Sequence, residues 1–162
     1  MIDGNLLMTS ILDGWRHYNS LLADALAPLT DEQLDQRVAP HLRSIRELAT
    51  HLISVRAGWF HRGLSEGGED IAAITEWQRP DQPARGASEL AAALGTTWHL
   101  IEEAVARWTP EQLGEQLELE RTGRRVTLTR PWVTWHVLEH DLHHGGELSF
   151  TLGMYNLAAP DL

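Results

Sequence analysis

Residues 131–152 read PWVTWHVLEHDLHHGGELSFTL, and no other stretch of the chain constrains the fold as strongly. Pro131 at its start fits the first turn of a helix, where the missing N–H costs nothing. On a helical wheel of about 100° per residue with His140 at the origin, Val133, His136, Val137, His144, Glu147 and Thr151 fall on one side. Trp135, Leu138, Leu142 and Leu152 fall on the other. A helix that is apolar on two faces is buried on both. One face then points into a core, and the other toward another helix or a second copy of the chain. Gly145 and Gly146 each cost roughly 1 kcal/mol in a helix interior, so the helix loosens there or packs closely.

The rest of the chain supplies partners for such a helix. Residues 3–27 carry Leu7, Ile11, Trp15, Tyr18, Leu22 and Ala25 at helical spacing, and Pro28 ends the run. Ser44 and Glu47 form a capping box that opens a second helix, to about Gly63, with the stripe Ile45, Leu48, Leu52, Val55 and Trp59. Ser88 is the expected cap of a third, with the stripe Leu90, Leu94, Trp98, Ile101, Val105 and Trp108. Two further capping boxes, Thr30 with Gln33 and Thr109 with Gln112, each follow a long helix and precede one that bears histidine. Residues 64–87 are rich in glycine and proline and are expected to be a loop holding a short helix over Ile71–Trp77. Leu117–Glu120 and Val126–Thr129 alternate with period two around an arginine-rich tip, which predicts a hairpin. The expected fold is all-α, a four-helix bundle with a small β-hairpin inserted before the last long helix. By length, residues 1–162 make one domain.

Four of the nine histidines, His136, His140, His143 and His144, lie within the last helix. Residues four apart on a helix are neighbours and can hold one ion together. The favoured pair is His140 with His144, which flank the stripe of Val133 and Val137. His51, at the edge of the second helix's apolar stripe, is the candidate third ligand. Bundles build metal sites from facing helices, and three imidazoles leave a position open for water or substrate. Glu147 on the site face and Glu139 at its edge are candidate catalytic carboxylates or partners of the ligands. Arg130 adjoins the helix and is the candidate clamp for an anionic cofactor or substrate, with Arg121, Arg124 and Arg125 at the hairpin tip. A rival motif overlaps the site. His140-Asp141-Leu142-His143-His144 is HDxxH, one carbon short of the HExxH of zinc peptidases, in which the acid is the general base.

Composition narrows the chemistry further. With no cysteine, a metal must be held by His, Asp or Glu, and any thiol must come from outside. Imidazole ligands suit zinc, nickel or iron. A net charge of −10 argues against nucleic acid as partner. No signal peptide or apolar run of membrane-spanning length is read in the sequence, so a cytoplasmic protein is expected.

Three motifs, Thr30-Asp-Glu-Gln-Leu34, then Ser44-Ile-Arg-Glu-Leu-Ala-Thr-His51 followed by Trp59, then His140-Asp-Leu-His-His-Gly-Gly-Glu147, resemble in order and spacing the DinB/YfiT-like superfamily of metal-binding four-helix bundles. The resemblance covers essentially the whole chain. It implies that His51 is the first metal ligand and that His140 and His144 are the HxxHH pair. Where the superfamily often continues with Arg-Gly-Gln, this chain has Gly145-Gly146-Glu147, so no role of that Arg or Gln carries over. The resemblance implies an up-down-down-up bundle, a homodimer, and a divalent metal cofactor such as zinc or nickel. It also implies a small-molecule substrate, with a low-molecular-weight thiol of the bacillithiol or mycothiol type as co-substrate in S-transferase relatives. The expected function is therefore a metal-dependent transferase or hydrolase. The alternative is a non-catalytic metal-binding, stress-response module. The outer apolar residues Trp135, Leu138 and Leu142 are the expected dimer face.

Overall fold

Each of the four long amphipathic segments forms a helix: α1 (Gly4–Leu26), α3 (Ile45–Ala57), α5 (Ala87–Arg107) and α7 (Arg130–Met154). Short helices α2 (Asp31–Leu34), α4 (Glu69–Thr75) and α6 (Pro110–Gly114) fill the connections. The structure is a computed structural model that describes residues 4–121 and 123–161.

The expected capping boxes are present at α2, α3 and α6: Thr30, Ser44 and Thr109 each accept from the N3 backbone N–H, and the N3 side chain returns the bond. Capping begins α5 differently. Gly86, not Ser88, is its N-cap, and no side chain caps it. The short helix expected over Ile71–Trp77 starts and ends two residues earlier, as α4. At the start of α7 the hydroxyl of Thr129 accepts from the backbone N–H of Trp132. The helix then runs unbroken through Gly145 and Gly146 to Met154. Gly145 is required by packing: a Cβ there would overlap the Tyr18 hydroxyl from α1.

Strands β1 (Leu117–Arg121) and β2 (Arg124–Leu128) form the hairpin, with Leu117 opposite Leu128 and Arg121 opposite Arg124. Arg124 and Arg125 are therefore strand residues, not tip residues. Thr122 and the side chain of Arg121 lie outside the described residues.

The helices run up, down, down, up. His51 of α3 faces His140 and His144 of α7, while Trp59, just beyond α3, faces Trp132 and His136, so these two helices are antiparallel. Trp15 meets Asp141 and Tyr18 meets Gly145, so α1 runs parallel to α7. Leu22, Ile53, Leu94, Ile101, Val137 and Leu148 are among the side chains that close the core between all four.

Two stripe assignments change. Leu152 is buried, not on the outer face: it stands about 120° from His140 on the wheel, beside Leu148. Leu7 and Ile11 of α1 are 53% and 40% exposed, and Trp135 and Leu142 of α7 are 59% and 48% exposed. Among the described residues nothing covers that second apolar face.

Candidate metal centre

α3 continues beyond Ala57 as a π-helical turn, Gly58–Gly63, and its first part lies against the middle of α7. Two layers of polar side chains bridge these helices. The outer layer is histidine. His140 and His144 lie one turn apart on α7 and meet edge-on, with ring centroids 4.4 Å apart, and His51 of α3 lies 4.9 and 4.6 Å from them. One ring nitrogen from each comes within 4.8 Å of the others, so the three can hold a metal ion.

Outer partners set which nitrogen each ring offers. Glu147 accepts from Nδ1–H of His144 at 2.7 Å, and the amide oxygen of Gln78 accepts from Nδ1–H of His51 at 2.6 Å. With Nδ1 of each ring engaged by these partners, Nε2 is the nitrogen left for a metal ion. Nε2 of His51 lies 3.1 Å from Nε2 of His140. Burial, then the neighbouring imidazoles of His144 and His51, push the pKa of His140 down to about 3. His51 is lowered too, chiefly by burial, with Gln78 opposing. These rings are neutral at physiological pH, the form that binds metal. Ligands about 2.0–2.1 Å from a tetrahedral ion stand about 3.3 Å apart, so the His51–His140 spacing suits a shared cation. The hydrogen bond to His144 holds the Glu147 carboxyl below the usual range, so it is ionised at neutral pH.

In the core beside the histidines lies the second layer. Arg56 of α3 and Asp141 of α7 are both wholly buried. Nε of Arg56 donates to Oδ1 and Oδ2 of Asp141 at 3.0 and 2.9 Å, and Nη2 stands 2.8 Å from Oδ2. The indole N–H of Trp15 also donates to Oδ2, at 2.7 Å, and Nη1 of Arg56 donates to Asn19 at 2.6 Å. Burial pushes the Asp141 carboxyl up, and Arg56 is the chief opposing influence. This pair closes the HDxxH reading. Asp141 stands about 100° around the helix from His140, faces the core, and has both oxygens engaged, so it is no general base for the histidines.

Of the other residues singled out from sequence, His136, Glu139 and Arg130 sit apart from the three imidazoles, while the ring of His143 lies 4.7 Å from that of His144. His136 stacks on Trp132 and meets the edge of Trp59, and His143 is exposed. His143, His144 and Glu147 form a second, overlapping group with ligand geometry, but two of its three members are exposed. Glu139 is exposed, 3.5 Å from Nδ1 of His136. Arg130, the first residue of α7, is held by Glu115 at 2.6 Å and by the carbonyl of Gln112 at 2.9 Å. Ten residues of helix, about 15 Å, separate it from His140.

Three residues near the cluster went unremarked in the sequence: Arg56, Gln78 and Arg43. Arg56 had a signal, since it stands with Ile53, Ala57 and Phe60 on the inner side of the helix, where a lone cation needs a buried anion. Gln78, on a loop, had none. Two clefts open on the outer partners of these histidines. One, of about 640 Å³, is lined by Gln78, Arg43 and Thr50, and the other, of about 390 Å³, by Glu147, Arg43 and Phe150.

Known structures share this architecture. A DinB-like protein from Bacillus cereus ATCC 10987 matches with a TM-score of 0.71 at 21% identity, over 93% of this chain and 94% of that one. The DinB-like protein YjoA from Bacillus subtilis matches with a TM-score of 0.65 at 15% identity, over 94% and 96%. At these identities the likeness concerns the fold alone. No curated protein matches this chain. Residues 1–153 match the DinB family, which spans the bundle and all three clustered histidines, and the chain belongs to that family.

Proposed function

We propose that this chain is a cytoplasmic metal-dependent enzyme in which His51, His140 and His144 hold one divalent ion, zinc or nickel, beside a small-molecule substrate. The observation that carries the reading is the convergence of three ring nitrogens within 4.8 Å, with two rings turned the right way by Gln78 and Glu147. A divalent ion there supplies Lewis acidity to an incoming thiol or water. Glu147, ionised and partly open to solvent, is placed to take the proton that the nucleophile gives up. Glu139, on the exposed side of α7, serves at most the rim. Since the chain has no cysteine, S-transfer uses an external low-molecular-weight thiol, and hydrolysis uses water.

Elemental analysis of the purified protein beside His140→Ala tests the site, followed by a screen of thiol and electrophile pairs. One equivalent of metal in the wild type and none in the variant, with turnover only by the wild type, is the expected result. Metal bound without turnover of any pair would leave the non-catalytic module instead.

The same reading includes a homodimer. Trp135 and Leu142 of α7, with Leu7 and Ile11 of α1, are exposed apolar side chains on two parallel helices, and Leu138 beside them is half-buried against the core. Large exposed apolar patches mark interaction sites. Light scattering is expected to give a dimer mass for the wild type and a monomer mass for Trp135→Glu. A monomeric wild type at high concentration would remove the dimer.

A further inference from the structure

In a chain of net charge −10, the cleft beside His51 is locally basic: Arg37, Arg43, Arg46, Arg79 and Arg85 line it, against Asp35 and Glu47. Four of these arginines are already engaged. Arg46 pairs with Asp31 and Asp35, and Arg79 with Glu76 and Asp81. Arg85 pairs with Glu89 and lies over the ring of Trp77, while Arg37 stands 3.4 Å from Glu47 and donates to the carbonyl of Leu42. Arg43 is different. It has no hydrogen bond or ion pair among the described residues. It also lines the second cleft, with Glu147, so it is shared by the two clefts that hold Gln78 and Glu147, the hydrogen-bond partners of His51 and His144. Its charge is felt at both ends of the site, at His51 and at Glu147.

A guanidinium presents a planar fork of donors that matches a carboxylate or a phosphate in two parallel bonds. We propose that Arg43 binds an anionic group, a carboxylate or a phosphate, on the substrate or co-substrate whose reacting atom lies at the three imidazoles. This deepens the reading of a small-molecule site and rests on it for the identity of the reacting end. It moves the anion-binding role from Arg130, which is tied to Glu115 and Gln112, to a cation with free donors at the mouth.

Calorimetric titration at low salt with inorganic phosphate and, separately, with succinate tests the assignment. The proteins are the zinc-loaded wild type, Arg43→Gln, Arg79→Gln, and each of these in a His140→Ala background, where an anion has no metal to bind. Arg43→Gln is expected to weaken binding about tenfold or more in both backgrounds, and Arg79→Gln about twofold or less. The tighter of the two probes identifies the group as carboxylate or phosphate. Undiminished binding by Arg43→Gln overturns the proposal. Equal weakening by Arg79→Gln overturns it in favour of a diffuse field, and so does the absence of binding to the wild type at millimolar concentration. Elemental analysis of Arg43→Gln, expected to match the wild type, keeps this outcome separate from the metal site: an empty wild-type site would end the metal reading without touching the anion result in the His140→Ala background.

Discussion

Two polar layers join α3 to α7, one toward the outside and one in the core, and they are built on opposite terms. In the inner layer, Arg56 and Asp141 are wholly buried, and both oxygens of the carboxylate are engaged by Arg56 and Trp15. In the outer layer, Nε2 of His51 and Nε2 of His140 stand 3.1 Å apart, and the buried Nδ1 of His140 has no partner. Groups that are paired within the chain hold the helices in register. Imidazoles whose ring nitrogens converge within 4.8 Å, with the pKa values of His51 and His140 lowered by burial, have the arrangement that holds a metal ion. The inner layer therefore reads as structure and the outer as function, although both use the same two helices.

The largest expected effect comes from breaking the inner layer. Asp141→Ala leaves the Arg56 cation buried without its anion, which typically costs about 3–5 kcal/mol. Arg56→Met with Asp141→Leu removes both charges together, and most of that stability is expected to return. Urea unfolding of the metal-free proteins measures both. If Asp141→Ala unfolds at the wild-type midpoint, the inner layer is not what holds α3 against α7. His140→Ala, by contrast, is expected to abolish metal binding while shifting the metal-free midpoint little.

Much of this contrast was legible in the sequence, and what was missed has a physical cause. Four apolar stripes and three capping boxes gave the bundle, because periodicity and caps are local properties. His51, His140 and His144 could be nominated from their places at the edges of those stripes. Asp141 was noticed only as a letter in HDxxH. The wheel places it about 100° from His140, in line with Val137 and Leu148, and a carboxylate there demands a buried cation. Gln78 was beyond reach. Its contact with His51 spans 27 residues and depends on how a loop folds back, which no local pattern encodes. Leu7 and Ile11 show the limit of the stripe rule: it finds an apolar face without saying whether this chain covers it.

A smaller effect separates ligands from the residues that aim them. Gln78→Ala and Glu147→Ala remove the acceptors that fix the tautomers of His51 and His144. Changes to such outer partners typically weaken metal affinity about 10–100-fold. Competition with a chromophoric zinc chelator is expected to show that range for each variant. The metal-free unfolding midpoint is expected to move by no more than about 0.5 kcal/mol, as for other exposed sites. Affinity equal to the wild type in both would mean that the rings are aimed by packing alone.

The smallest effect is on the pH dependence of the metal-free protein, and it tests whether the outer layer is held neutral. His140 has a pKa of about 3 in the folded chain, against 6.5 for an unperturbed histidine. Between those values the unfolded chain binds a proton that the folded one refuses. Stability then rises with pH across that window. It is present above about pH 6.5 and is lost as the pH falls toward 3. His51, shifted the same way, adds to the slope. Both rings are only partly buried, so screening by solvent keeps this below the cost of breaking Arg56 from Asp141. Urea midpoints measured from pH 7 to pH 4 are expected to fall more steeply for the wild type than for His140→Ala. Parallel curves would show that the imidazole protonates freely in the fold. Saturating zinc is expected to steepen the wild-type curve further and to leave His140→Ala unchanged, because an ion and a proton compete for the same nitrogen.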